Sequence, residues 1–321
     1  MRSQGGLTNR NHKPSRPSPL APVKYLPLII AMLACAPSGG CCLWRQQNPV
    51  SDSVVASRQF AQQGLNALER SNLSEAEKYC SQAVRACPSD PNARRSYADV
   101  LWAQGRTQEA LEQIDAALAG GVGGDVETRL RAAEMRLQSG KLDAALVDVE
   151  QVIDADPKSA EAWALRGRVM LAKGNTKQSL ADMQRSLIYA PRKRDVLRQT
   201  AELYQRLGEP NKALAALQEL GDTYGPGEEP QDIYIAQGNV YAALARPAEA
   251  AEQFRTAISR GTPNADLLAL LAEAEAASGN STAAYQAAQQ ALALAPGDPR
   301  HQELIQRTAA AMPLPTSAIR R

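Results

Sequence analysis

The chain has almost nothing with which to run a reaction. Its 321 residues include only two histidines, His12 and His301, and no His/Cys/Asp/Glu cluster stands at metal-ligand spacing. No serine or cysteine has a base partner in a recognisable motif, and no G-x-G-x-x-G follows a strand-like run. The glycine run at 120–124 is not followed by Gly-Lys-Ser/Thr, so it reads as a flexible turn rather than a phosphate loop. With no part of an active-site checklist filled, no enzymatic activity, cofactor, metal or small-molecule substrate is expected. Aromatics are 4% of residues, which leaves alanine, leucine and valine to fill the interior. Five cysteines form no CxxC pair. Cys80 and Cys87, seven apart on one expected helix, lie ~10.5 Å apart along it, beyond the ~7 Å a disulfide tolerates; Cys80 reads as a buried core thiol. Strand-like alternation is absent too. The net charge of +2 hides an asymmetry: the first 50 residues carry six Arg/Lys and no Asp/Glu, leaving 30 basic against 34 acidic residues in the remainder. A mildly acidic remainder argues against nucleic acid as a partner.

What the sequence does have is a period. A small residue recurs as Ala76, Ala110, Ala145, Ser179, Ala213, Ala250 and Ala284, at intervals of 34, 35, 34, 34, 37 and 34. A second small slot keeps step as Gly64, Ala98, Ala133, Gly167, Ala201, Gly238 and Ala272. Glycine marks the turn between them at Gly105, Gly140, Gly174, Gly208 and Gly279, and Pro88, Pro157, Pro191 and Pro296 close four repeats, where a missing N–H stops a helix. Apolar residues at i, i+3, i+4 between the slots give each helix one face to bury.

Tyr234, Gly238, Tyr241, Ala250, Phe254, Ala257 and Pro263 match the W-x₂-L-G-x₂-Y…A-x₃-F…P signature, and the chain resembles the tetratricopeptide repeat (TPR) family. The resemblance implies an all-α, right-handed solenoid of helical hairpins, seven repeats over 57–296, followed by a C-terminal cap helix and tail over 297–321. Each hairpin buries its apolar face only by stacking on its neighbours. Three inserted residues at 221–230 are expected to loosen the stack into five repeats and two.

In this family the first helices line a concave groove that holds partner segments, so a protein or peptide partner is the expectation. Helical spacing places Arg95, Asp99 and Trp102 on one face, then Leu130, Glu134 and Leu137, then Ala164, Arg168 and Leu171, then Arg198, Glu202 and Gln205. Ile235, Asn239, Ala242 and Ala269, Glu273, Ala276 continue it. Trp102, Leu137 and Leu171 would make an apolar stripe flanked by Arg95, Arg168 and Arg198, the composition of an interface hot spot. The other reading folds Trp102 down between its own helix and the next repeat. The lysine/asparagine/arginine clamp with which some relatives grip a C-terminal carboxylate has no counterpart, since the matching positions hold Asp99, Glu134 and Glu202 and only Asn239 fits.

The N-terminal region, 1–44, reads as a targeting and anchor segment: a basic, proline-rich stretch, then an uncharged apolar run from Leu26 to Ala34. Met32-Leu33-Ala34-Cys35 resembles the lipobox of bacterial lipoproteins, with methionine and leucine at positions where leucine and a small residue are usual; lipidation at Cys35 is the leading expectation. Ser38-Gly39-Gly40-Cys41 is a second site, and Ala34-Cys35-Ala36 resembles an ordinary cleavage signal, with Pro37 unfavourably placed after it. A third reading takes the 19 uncharged residues Leu26 to Trp44 as an uncleaved anchor. Residues 45–56 form a linker. These readings give an exported scaffold held at the cell envelope by lipid, or alternatively a membrane-anchored, cytoplasmic-facing assembly factor.

Overall fold

A computed structural model describes residues 51–120 and 125–312. The targeting segment, Cys35, most of the glycine run and the final tail lie outside the described residues. Among the described residues there are fifteen α-helices and no strand. Fourteen pair as hairpins: α1 (Asp52–Glu69) with α2 (Leu73–Ala86), α3 (Pro91–Ala103) with α4 (Thr107–Gly120), α5 (Val126–Gln138) with α6 (Leu142–Ala155), and α7 (Ala160–Ala172) with α8 (Thr176–Tyr189). The series continues with α9 (Arg194–Arg206) and α10 (Pro210–Gly221), α11 (Gln231–Ala243) and α12 (Pro247–Arg260), and α13 (Ala265–Ala277) and α14 (Ser281–Leu294). The last helix, α15 (Pro299–Ala310), packs on α14 and α13, and Asp298 caps its N-terminus by accepting from the Arg300 N–H.

The small slots are where the helices cross. All seven members of the second-helix set, from Ala76 to Ala284, are fully buried, and so are Ala98, Ala133, Ala201 and Ala272 of the first-helix set. The three glycines of that set mark the tightest crossings. A Cβ at Gly167 would sit 3.0 Å from Met183 Cε, and one at Gly238 would sit 2.5 Å from Phe254 Cε1. Buried Cys80 closes on Gly64 in the same way. Burial pushes the Cys80 thiol up to about 12, with the Asp99 carboxylate adding to the effect, so it is an inert core group. Cys87 is not helical; it forms the extended C-cap of α2.

Every hairpin turns through one residue of positive φ. Five are the expected glycines, and the other two are Ser71 (φ 59°) and Ala245 (φ 55°). The turn is closed by the same bonds whichever residue occupies it. Arg106 N–H reaches Leu101 C=O across Gly105, and Arg246 N–H reaches Tyr241 C=O across Ala245, the six-to-one bond of a Schellman ending. A left-handed alanine is strained by about 1–2 kcal/mol, partly offset by the entropy glycine carries in the unfolded chain. Ala245→Gly is therefore expected to stabilise the protein by roughly 0.5–1 kcal/mol, read as a higher urea midpoint; a lower midpoint would mean the turn is unstrained.

Two boundaries differ from expectation. First, α1 begins at Asp52, inside the expected linker, because its first turns have a function in the core: buried Ser57 donates to Asp90 Oδ2 at 3.1 Å, tying α1 to the cap of α3. Second, the insertion at 221–230 does not divide the stack. One apolar cluster runs from Leu197 and Ala201 through Leu217 and Leu220 to Ile233 and Val240, and Tyr224 packs against it. Arg194 lies over the Tyr224 ring at 3.9 Å and donates to Thr223 C=O. The extra residues are a stitched corner.

Packing between hairpins also has a direction. First helices touch the next first helix (α1 with α3, α3 with α5, α5 with α7), whereas no two successive second helices pack comparably among the described residues. From α1 to α7 the first helices therefore lie on the inside of the curve.

Candidate partner-binding face

On that inner face the expected residues are present, but the arginines are already engaged. Arg95 reaches Glu127 at 2.8 Å and Asp125 at 3.3 Å, both in the next repeat. Arg168 reaches back to Glu134 at 3.1 Å, Arg198 pairs with Asp232, and Arg307 of the cap helix pairs with Glu273 at 3.5 Å. Sequence reasoning missed the residue that links the first of these. Arg131 donates to Asp99 at 2.6 Å and lies 3.4 Å from Glu134, so Asp99, Arg131, Glu134 and Arg168 form a chain of alternating charge across three repeats. Each of these side chains is 23–35% exposed, so they face the groove without being lost into the core. The flanking arginines thus tie adjacent repeats together. Exposed pairs of this kind hold with about 0.2–1 kcal/mol each, so exchange is cheap.

The apolar stripe also resolves differently. Trp102 packs against the cluster of Ala98, Leu111, Ile114, Ala132 and Met135, Leu137 against the cluster around Val149 and Trp163, and Leu171 against Ala164, Met183, Val196 and Leu203. They are three half-buried plugs, each closing its own section of core, and each still presents part of its surface to the groove. Glu202 and Asn239 are exposed, and Glu202 has no ion pair among the described residues.

Three hollows open on this face. One of about 450 Å³ is bordered by Arg95, Asp99, Glu127, Leu130, Arg131 and Glu134. Near the cap helix a second, of about 500 Å³, includes Asp266, Glu273, Arg300 and His301. A third, of about 480 Å³ between α11 and α13, is largely apolar and includes Asn239, Ala242, Phe254 and Leu270. Chemically the face can accept hydrogen bonds and cations and shelter apolar side chains along an extended chain. Among the described residues no group of three His, Cys, Asp or Glu is placed to hold a metal ion, and no helix is long and apolar enough to cross a membrane.

Comparison with known proteins accounts for this architecture. The tetratricopeptide repeat model matches residues 62–124, 130–195 and 235–299, more than half of the chain. No curated protein sequence matches. Among solved structures, the C-terminal part of a TPR repeat-containing protein from Cytophaga hutchinsonii superposes with a TM-score of 0.64 at 14% identity, covering 76% of this chain and 99% of that one. A tetratricopeptide repeat protein from Parabacteroides merdae gives 0.54 at 18% identity, covering 79% and 99%. At such identities the likeness concerns the fold. Together with the seven buried small slots and the seven left-handed turns, the matched segments place this chain in the tetratricopeptide repeat family.

Proposed function

We propose that the chain is a non-catalytic scaffold, exported and held at the cell envelope by lipid on Cys35, that grips an extended segment of a partner protein along its inner face. Proteins of this family are in general non-catalytic scaffolds for protein–protein interaction, and nothing in the groove assembles a nucleophile, base and oxyanion site. The observation that carries the reading is the Asp99–Arg131–Glu134–Arg168 chain beside the plugs Trp102, Leu137 and Leu171. Charged groups able to re-pair stand next to apolar surface in a shallow groove, as in a partner-binding surface with anchors and a polar rim. Support for the envelope location is in the sequence: five Arg/Lys and no Asp/Glu in the first 25 residues, then the apolar run from Leu26 to Ala34 directly before Cys35.

The test is capture of crosslinked partners from cells, comparing the wild type with Trp102→Ala plus Arg168→Ala. A hot-spot aromatic and its arginine neighbour together are expected to lower recovery at least tenfold, since truncation of each such residue costs about 1–2 kcal/mol or more. Equal recovery rejects the groove. Mass spectrometry of the mature N-terminus tests the anchor, and an unmodified, soluble N-terminus removes it.

A further inference from the structure

At one position of the first helix, twelve residues into each repeat, the chain places Trp102, Leu137, Leu171, Gln205, Ala242 and Ala276 in turn. In repeats two to four this residue is the plug that covers the core from the groove side. In repeat six it is alanine, and the uncovered space is the hollow of about 480 Å³ between α11 and α13, whose walls are Ala242, Pro247, Phe254, Leu270, Ala274 and Ala277. The floor is Phe254, itself 1% exposed. The chain fills this position itself in repeats two to four and leaves it open in repeat six.

We infer that this hollow is a socket for one large apolar side chain of a partner segment, flanked in that segment by basic residues. The apolar part follows from the walls, which are hydrocarbon apart from two rim residues, Asn239 and Glu273. The basic flanks follow from charge. No Lys or Arg lines the hollow; Glu273 stands on its rim, held only by a 3.5 Å pair with Arg307 in which both side chains are more than half exposed. Glu202 occupies the same helical position one repeat before Asn239, and it is exposed and without an ion pair among the described residues. An anchor entering the socket therefore passes the Glu273 carboxylate on the rim, with Glu202 further along the groove on α9, and a cationic neighbour satisfies them. A buried aromatic or leucine anchor with charged neighbours at the rim is the common anatomy of a protein–peptide contact.

The inference rests on the groove reading but concerns a different part of the groove, so the two fail separately. The probe is an end-capped, fluorescein-labelled decapeptide of serine and alanine carrying one tryptophan between two pairs of lysines, titrated by anisotropy against the full chain. Two companion peptides replace the tryptophan by alanine or the lysines by glutamate. The decisive variant is Ala242→Leu, which supplies the missing plug in cis. It is expected to melt at the wild-type temperature or above while binding the tryptophan/lysine peptide at least tenfold more weakly. Both companion peptides should bind the wild type severalfold more weakly than the parent. Val147→Ser, at an exposed position of α6 outside the groove, should leave this probe's affinity unchanged. Wild-type affinity in Ala242→Leu, equal binding of a companion peptide, or no saturable binding of the parent peptide would overturn the socket; partner capture lost only in the Trp102/Arg168 variant would do the same while leaving the groove intact.

Discussion

Replacing Arg166 by methionine is expected to destabilise the protein by about 3–5 kcal/mol, the largest effect of any single change considered. Arg166 lies on α7, and its guanidinium donates from Nε to Asp182 Oδ2 at 2.9 Å and from a terminal nitrogen to Oδ1 at 2.6 Å. The Asp182 side chain on α8 is 1% exposed, so water cannot take the place of the lost arginine. Only the Gln178 amide, 3.2 Å from Oδ1, would still donate to it. The arginine also lies 4.4 Å from the Trp163 ring centroid, and a methionine keeps some of that packing, so the loss reports mainly the stranded carboxylate. Such a pair stabilises less than its removal costs. Arg166→Met with Asp182→Leu is accordingly expected to recover most of the stability, and urea unfolding of both variants checks the pair. A single mutant with the wild-type midpoint would show that Asp182 is solvated or protonated at no cost.

The second large effect belongs to the helix crossing in repeat six. A Cβ at Gly238 falls 2.5, 2.7 and 2.8 Å from Cε1, Cδ1 and Cζ of Phe254, a ring that is itself fully enclosed. Valine adds two further carbons there, and the hairpin must open. Overpacking of this kind costs roughly 1–3 kcal/mol, and three ring atoms within 3 Å of the added Cβ put Gly238→Val at the upper end. Gly167→Ala should be milder, because the atom it meets first is the flexible end of Met183 at 3.0 Å. Thermal melts of the two variants order them. If Gly238→Val melted like the wild type, the crossing would not be where the small residue lies.

The parts of this molecule that were legible in the sequence are those set by backbone approach. Ala76 through Ala284 had to be small because two helices cross at each, and that requirement leaves its mark on residue identity. The turns were only partly legible. Glycine signals a left-handed residue, but Ser71 and Ala245 adopt the same conformation because the hairpin bonds on either side impose it. The start of α1 was hidden for a similar reason: the bond from Ser57 to Asp90 spans 33 positions, which no local pattern reveals. On the inner face, spacing put Arg95, Arg168 and Arg198 in one row but carried nothing about their ion pairs. Whether an arginine faces solvent or bridges to the next repeat depends on the rise between hairpins, and a repeat length does not encode that. Arg131, the hub of the charge chain, was missed because it lies one position off the row and matters only through Asp99, 32 residues away. The plugs looked like a stripe because they share a face, yet each closes a different section of core.

The central claim is that the inner face of the stacked hairpins, and not their outside, holds another protein. A photo-crosslinking amino acid placed at Leu171 on the inner face, and separately at the outward, 54% exposed Val147 of α6, measures this in intact cells. The account predicts a discrete crosslinked partner from position 171 and none from position 147. A partner captured from position 147 with none from 171 would contradict it.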